Sequence, residues 1–167
     1  ERLKVTLLGA APTSQERDAE AYTLYLQARF LGNRGTADAT EESIVLYKQA
    51  LALDSGYVAA WSGLANNYLN LYLHGQMNHD ESARLAREAS EQALKLDPDH
   101  APAHAHLSRI ELTYDRNFVV AARHLQHALA LEPTNSNILQ RAIVLAYRLG
   151  RMDEAIRVGR YAVDRDH

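Results

Sequence analysis

Apolar side chains recur at every third or fourth position along most of this chain, which is the spacing of one face of an α-helix. Trp61, Leu64, Tyr68 and Leu71, for example, fall on a single stripe. No segment alternates apolar and polar residues with the two-residue period of a β-strand. The pattern predicts eight helices, over residues 18–31, 40–53, 57–73, 80–96, 101–114, 118–131, 136–149 and 152–164.

Polar residues, proline and glycine indicate where these helices begin and end. Thr40 and Asp80 are predicted N-caps, because their side-chain oxygens can accept hydrogen bonds from free amides of the first turn. Pro102 fits the permissive first turn of the fifth helix. Pro98 disfavours a helical residue before it, and Gly150 is a common helix stop. The short connections predict antiparallel neighbours within one domain.

A hexapeptide recurs along the chain and divides it into units. QALALD at 49–54 returns as QALKLD at 92–97, as HALALE at 127–132 and, in weaker form, as YAVDRD at 161–166. The residues that follow the four copies, Ser55, Pro98, Pro133 and His167, are separated by 43, 35 and 34 positions. A step near 34 residues predicts stacked helix–turn–helix units, here 18–56, 57–99, 100–134 and 135–167. We assign residues 1–17 to the end of a preceding region and expect the chain to be a piece of a larger protein.

The second unit carries the motif W-x2-L-G-x2-Y at Trp61, Leu64, Ala65 and Tyr68, with alanine in place of glycine. A small residue suits that position because the two helices of a pair cross closely. The second helices supply further small residues and closing prolines, at Ala93, Pro98, Ala128, Pro133, Ala155 and Ala162. The four units resemble the tetratricopeptide repeat (TPR) family. This resemblance implies an all-α, right-handed superhelix of four TPR-like helix–turn–helix repeats.

Two positions depart from the family pattern. Ser90 and Gly159 stand where the second helix of a TPR pair carries a bulky aromatic residue. Looser packing is therefore expected in those two pairs.

A second resemblance concerns the beginning of the chain. The segments ERLKVTLLG, EAYTLYLQARFL and SIVLYKQALALD are similar to the C-terminal regions of certain bacterial multidomain regulators. In such proteins a class III adenylate or guanylate cyclase domain, or a winged-helix DNA-binding domain, precedes the repeats. The resemblance implies a bacterial, cytoplasmic signalling protein as the parent, and it places no catalytic residue in this chain.

The first helices of TPR pairs line the inner groove of the superhelix, and such grooves are binding surfaces. Amide side chains can hydrogen-bond a peptide backbone, arginine can fork onto a carboxylate, and tyrosine supplies contact area. The sequence therefore predicts a protein–protein interaction module that binds a peptide or helix. Its groove residues, taken from the helical phase, are Thr23, Gln27, Ser62, Asn66, Leu69, Asn70, Ala105, Arg109, Leu112, Gln140, Val144, Tyr147 and Arg148.

A more specific alternative comes from TPR arrays that hold a partner's C-terminal carboxylate with lysine, asparagine and arginine side chains. Asn66 and Arg141 match two of those positions, and Ser62, His106 and Asn137 occupy other polar positions of the site. No lysine is present among them. Because a carboxylate site needs converging positive charge, the sequence favours this alternative less than a general peptide groove.

Composition narrows the function further. A net charge of −3 with mixed signs offers no basic surface for nucleic acid, and the apolar runs are too short to cross a membrane. The chain has no cysteine, so disulfides and thiolate metal ligands are excluded. No nucleophile elbow, phosphate-binding loop or dinucleotide motif is present, so we expect no catalytic residue and no cofactor.

Two pairs of histidines are possible ligands for a metal ion. His100 and His104 are one turn apart, as are His124 and His127. Zinc needs three or four converging ligands, and we expect His104 to be half-buried and the other pair to face solvent, so no metal site is predicted.

Self-association is the alternative to a peptide-binding function. The last helix presents Ile156, Val158, Tyr161 and Val163, and an array end without a capping helix exposes apolar surface. Such a surface can pair with a second copy and control the dimerisation of an attached cyclase or DNA-binding domain.

Overall fold

Eight α-helices follow one another along residues 14–163, the part of the chain described by this computed structural model, in which side chains are placed from 18 to 161. They are α1 Ser14–Gly32, α2 Ala37–Leu53, α3 Val58–Leu73, α4 His79–Leu96, α5 Ala101–Ile110, α6 Phe118–Leu131, α7 Ser136–Arg148 and α8 Met152–Val163. A π-helical turn, Glu111–Asp115, continues α5. No described residue is in a β-strand, and no helix in this range is long and apolar enough to cross a membrane.

The helix positions agree with the sequence periodicity, and the differences lie at the N-termini. Helix α2 is capped by Thr36, whose side chain accepts from the Ala39 amide, and the predicted cap Thr40 is instead buried inside the helix. Helix α4 is capped by Asn78, whose Oδ1 accepts from the Glu81 amide at 2.9 Å, so the prediction of Asp80 was also wrong. In both cases another good capping residue lies a few positions upstream and begins the helix there.

Helix α1 begins at Ser14, four residues before the predicted start. The end of the segment 1–17, assigned to a preceding region, is therefore helical. Residues 1–13 lie outside the described part of the chain.

Successive helices pack as antiparallel pairs, α1 with α2, α3 with α4, α5 with α6 and α7 with α8. The first helices of the pairs also contact one another, α1 with α3, α3 with α5 and α5 with α7. This arrangement places the first helices side by side on one surface and the second helices behind them. The inner surface is therefore built from residues that are far apart in the sequence.

The core consists of two apolar clusters that follow the repeats. One joins α1 to α5 around Tyr47, Tyr68 and Leu69, and the other joins α5 to α8 around Leu125 and Ile138. Small residues allow the close helix crossings: among the motif positions Ala65, Ala93 and Ala128 are completely buried, and Leu64, Tyr68 and Ala155 are also buried. Burial of such apolar surface supplies most of the favourable free energy of folding.

The remaining motif residues act at the surface. Trp61 is half-buried, and its Nε1 donates to the Ser55 carbonyl at 2.9 Å, which ties α3 to the turn before it. Pro98 and Pro133 are exposed and follow the ends of α4 and α6. Ala162 lies in α8 beyond the last described side chain.

The two positions predicted to pack loosely differ from each other. Ser90 is completely buried, and its hydroxyl donates to the Ala86 carbonyl of its own helix at 2.8 Å. At Gly159, a β-carbon would have Ile143 Cδ1 as its nearest neighbour, at 3.8 Å. Room for an additional methyl group therefore exists at Gly159.

Candidate functional site

A groove runs along the inner surface formed by α1, α3, α5 and α7, and it has two compartments. The polar compartment, about 370 Å³, includes Arg29, Ser62 and His106 among its lining residues. The amphipathic compartment, about 480 Å³, combines polar side chains with three apolar ones, Leu73, Leu112 and Val144. Asn66, Asn137 and Arg141 line both compartments and mark the place where they meet.

The groove carries positive charge without acidic side chains. Arg29 lines the polar compartment, Arg109 the amphipathic compartment, and Arg141 both. None of the described residues that line either compartment is Asp or Glu, although the chain as a whole has a net charge of −3. A surface of this kind attracts anions and repels cations.

Arg109 and Arg141 are placed close enough for their charges to interact. The Arg109 guanidinium donates to the Leu69 carbonyl at 3.1 Å and to Asn70 Oδ1 at 3.4 Å, and both acceptors are neutral. Burial lowers the pKa of Arg109. Burial and, second, the charge of Arg109 lower the pKa of Arg141 to about 10. Two half-buried cations to which the described residues supply no acidic partner favour the binding of an anion, which relieves their repulsion.

His106 is a buried polar side chain of the polar compartment, with 8% of its surface exposed. Its Nδ1 is buried and has no hydrogen-bond partner among the described residues. Burial, followed by the charges of Arg141 and Arg109, holds the pKa of His106 well below its usual range, so the ring is neutral at pH 7. Nearby, His100 Nε2 is also buried without a described partner, and burial lowers the pKa of His100. Buried polar atoms without partners are uncommon, and here they line a cavity.

Arg29 is oriented by aromatic residues of the first repeat. Its guanidinium carbon lies 5.7 Å from the centroid of the Tyr25 ring, a cation–π distance. Tyr25 in turn contacts Tyr57, with ring centroids 4.8 Å apart, and Tyr47, at 6.1 Å. These aromatic contacts hold the arginine at the N-terminal wall of the polar compartment.

Eight of the thirteen groove residues predicted from the sequence lie together in the groove. Five of them are polar: Ser62, Asn66, Asn70, Arg109 and Gln140. Of the others taken from the helical phase, Ala105, Leu112 and Val144 also line it. The residues of the carboxylate alternative converge as well, because Ser62, Asn66, His106, Asn137 and Arg141 all line the polar compartment.

Five other predicted groove residues lie elsewhere. Gln27 belongs to an apolar surface with Leu26, Leu31 and Leu46, because its position on α1 is turned away from Tyr25 and Arg29. Leu69 is completely buried in the core. The exposed side chains of Thr23, Tyr147 and Arg148 do not line the groove either, and the last two lie one turn beyond Val144, where the lining by α7 ends.

Sequence reasoning missed the contribution of α1 and the end of α5. Tyr25, Arg29 and Asn33, spaced by one turn, line the polar compartment. Ser108 and Thr113 line the amphipathic compartment, and Thr113 does so from the π-helical turn. The one-turn spacing on α1 was a usable signal, but the π-helical turn has no clear sequence signature.

Among the described residues, no group of three or more His, Cys, Asp or Glu side chains has an arrangement that can hold a metal ion.

The comparisons with known proteins identify the fold. No protein-family model matches the sequence, and no curated protein sequence matches it. The chain is similar to a crystal structure of a thermophilic TPR protein from Thermus thermophilus, with a TM-score of 0.74 and 23% identity over 86% of this chain and 73% of that chain. The predicted TPR-like superhelix is thereby confirmed.

Two similar structures contain bound peptides. The first TPR of Spaghetti (RPAP3), bound to the HSP90 peptide SRMEEVD, has a TM-score of 0.62 and 18% identity over 85% of this chain and 99% of that chain. The second TPR domain of human RPAP3, in complex with the HSP70 peptide SGPTIEEVD, has a TM-score of 0.55 and 19% identity over 75% of this chain and 97% of that chain.

Proposed function

We propose that this chain is a non-catalytic protein-interaction module whose inner groove binds an acidic peptide segment of a partner protein. The observation that carries the proposal is the pair Arg109 and Arg141, two half-buried arginines in a groove whose described lining contains no Asp or Glu. A buried charge without a counter-charge is costly for a folded protein. An acidic ligand supplies the missing counter-charge.

Different groove residues contact different parts of the proposed ligand. A carboxylate of the ligand binds at Arg141, where the two compartments meet and where a guanidinium can donate two parallel hydrogen bonds. The Asn66 and Asn137 amides are suited to bind the peptide backbone, because each offers both a donor and an acceptor. An apolar side chain of the ligand packs on Leu112 and Val144 in the amphipathic compartment.

The similar structures with bound peptides support this assignment. Both peptides end in EEVD, which places acidic residues on either side of an apolar one. The polar compartment offers cations and amides, and the amphipathic compartment offers apolar contact. The ligand proposed for this chain therefore has acidic residues next to an apolar residue, and its free C-terminal carboxylate is a candidate for the site at His106 and Arg141.

Selection from a random heptapeptide library with free C-termini tests the proposal. Peptides retained by the native chain are expected to be enriched in Asp and Glu. The Arg141→Gln variant should bind the best peptide at least about tenfold more weakly, because truncating one partner of a desolvated charge pair costs about 2–5 kcal/mol. Arg148→Gln, an exposed arginine outside the groove, is the matched control and should bind like the native chain.

Enrichment of neutral or basic peptides would contradict the proposal, as would an equal loss of affinity in the Arg148 variant. A second version of the best peptide with an amidated C-terminus separates a terminal carboxylate from an acidic side chain. A large loss on amidation assigns the terminal carboxylate to the groove.

Self-association is the second candidate function, and exposed apolar side chains at the two ends of the array favour it. Phe30 on α1 is 70% exposed, and Met152 and Ile156 on α8 are 50% and 47% exposed. Sedimentation equilibrium of the native chain and of Ile156→Glu tests this candidate. A concentration-dependent mass that is lost in the variant supports a homodimer, and a monomer at all concentrations rejects it.

The proposal also covers the kind of larger protein in which these repeats occur. The resemblance of residues 1–9 and of the first unit to bacterial regulators supports a cytoplasmic signalling protein with a cyclase or winged-helix domain before the repeats. In such a parent, peptide binding or dimerisation would regulate the attached domain. The coding sequence upstream of Glu1 tests this directly.

A further inference from the structure

Three histidines lie together in the third repeat, outside the groove. His104 is half-buried on α5, as expected, and two histidines of α6 are beside it. Its ring centroid is 5.4 Å from that of His124 and 4.4 Å from that of His127. His127 is exposed, but His124 is half-buried against His104, so the expectation that both face solvent was wrong for His124.

The hydrogen bonds of His104 determine which of its nitrogens carries the proton. Nε2 lies 2.9 Å from the Pro98 carbonyl oxygen. Because a carbonyl oxygen only accepts, Nε2 must be the donor, and in a neutral imidazole Nδ1 then keeps its lone pair. A ring that donates its far N–H to a backbone carbonyl has the orientation typical of metal-binding histidines.

His104 Nδ1 therefore accepts a hydrogen bond from the Nδ1–H of His124. The Nδ1 atoms of His104 and His124 are 3.1 Å apart. With metal–nitrogen bonds of about 2.0–2.1 Å, this separation gives an N–metal–N angle of about 100°, which lies between the square-planar and tetrahedral values. Metal binding replaces this hydrogen bond: each ring turns so that its lone pair points at the ion, and the proton of His124 moves from Nδ1 to Nε2.

We propose that His104 and His124 bind one divalent transition-metal ion through their Nδ1 atoms and thereby cross-link α5 to α6. The chemical class is that of Cu²⁺ and Zn²⁺, for which imidazole is a good ligand, with Cu²⁺ bound more tightly. The site has two protein ligands rather than three, and solvent completes the coordination. His127 remains beside it, with Nε2 3.4 Å from Asp99 Oδ1. Bound metal stabilises the third repeat, because the unfolded chain does not hold the two rings together.

Calorimetric titration of the metal-free chain with ZnSO₄ and CuSO₄ at pH 7.5 tests this site. The native chain is expected to bind one ion, with a rise in melting temperature. His104→Gln and His124→Gln should each weaken binding by at least about tenfold, since even the loss of an outer partner of a ligand costs that much. His74→Gln, an exposed histidine on the loop after α3, is the matched control and should bind like the native chain.

NMR spectra of the histidine rings in the native chain provide a readout that needs no variant. Zinc should shift the Nδ1 resonances of His104 and His124 together. Absence of saturable binding, shifts confined to other histidines, or unchanged affinity in either His→Gln variant would overturn the proposal.

Discussion

The Tyr47 ring of α2 packs directly on the backbone of Gly63 in α3. A β-carbon at Gly63 would lie 2.3 Å from Tyr47 Cζ and 2.5 Å from its hydroxyl oxygen. Tyr47 cannot move aside easily, because it is 4% exposed and part of the first apolar cluster. The absence of a side chain at Gly63 therefore allows the first and second repeats to pack closely.

Gly63→Ala should destabilise the chain for this reason. Overpacking a close contact costs about 1–3 kcal/mol, even though alanine is the better helix former. Urea denaturation followed by circular dichroism measures the loss. Tyr47→Leu in the Gly63→Ala background should recover part of it, and an unchanged unfolding midpoint in Gly63→Ala would show that the contact is not tight.

Gly159→Ala should have the opposite effect. Gly159 lies within α8, and the nearest atom to an added β-carbon is Ile143 Cδ1, at the ordinary contact distance of 3.8 Å. Glycine within a helix is about 1 kcal/mol less favourable than alanine, so the variant should be more stable by about that amount. The same denaturation experiment measures this gain, and a loss of stability would mean that α8 packs more tightly than the structure shows.

Ser43 connects three helices through two hydrogen bonds. Its hydroxyl donates to the Ala28 carbonyl of α1 at 2.6 Å and accepts from Asn67 Nδ2 of α3 at 2.6 Å. Ser43→Ala leaves the buried Asn67 amide without this acceptor and should cost about 1–3 kcal/mol. Ser90→Ala is the matched control, because that buried hydroxyl bonds only within its own helix. Equal losses in the two variants would argue against a special contribution of the Ser43 contacts.

Arg141→Gln should raise stability while it weakens peptide binding. The variant removes a half-buried charge that is repelled by Arg109 and has no described acidic neighbour in the groove. A rise in melting temperature of about 2 °C or more is expected, which corresponds to about 1 kcal/mol for a chain of this size. Thermal denaturation in low salt measures it, and a lower melting temperature would show that the arginine has a stabilising partner.

Stability should fall as the pH is lowered from 7.5 to 5. The pKa values of His100, His106 and His124 are all lowered in the folded state, mainly by burial. As the pH falls below about 6.5, the unfolded chain binds protons at these histidines that the folded chain does not, so unfolding becomes easier. Melting temperatures across this range test the sign.

The variant His106→Gln identifies the main source of that effect. Its melting temperature should fall less between pH 7.5 and 5, because the most strongly shifted histidine is gone. A drop equal to that of the native chain would assign the pH dependence to other groups.

The sequence by itself determined the helices and their pairing. Apolar spacing depends on neighbours within one or two turns, and the motif at Trp61, Leu64 and Tyr68 contains the packing stripe of a repeat. For the same reason Ser62, Asn66 and Asn70, one turn apart on α3, could be assigned to the groove before the structure was known. Helix starts were less certain, because Thr36 and Thr40 are both good caps and the helix begins after the first of them.

Only the tertiary structure decided which side chains meet across the groove and behind it. Arg29 of the first repeat shares the polar compartment with Arg141 of the fourth, and His104 faces His124 across a helix pair. The first relationship depends on how far each pair is rotated against the next, which results from packing summed over the whole array, and the second depends on how the two helices of one pair are aligned. Local sequence patterns do not specify this geometry. They therefore predict which residues of each helix face the groove, but not which charged side chains of different helices come together in it.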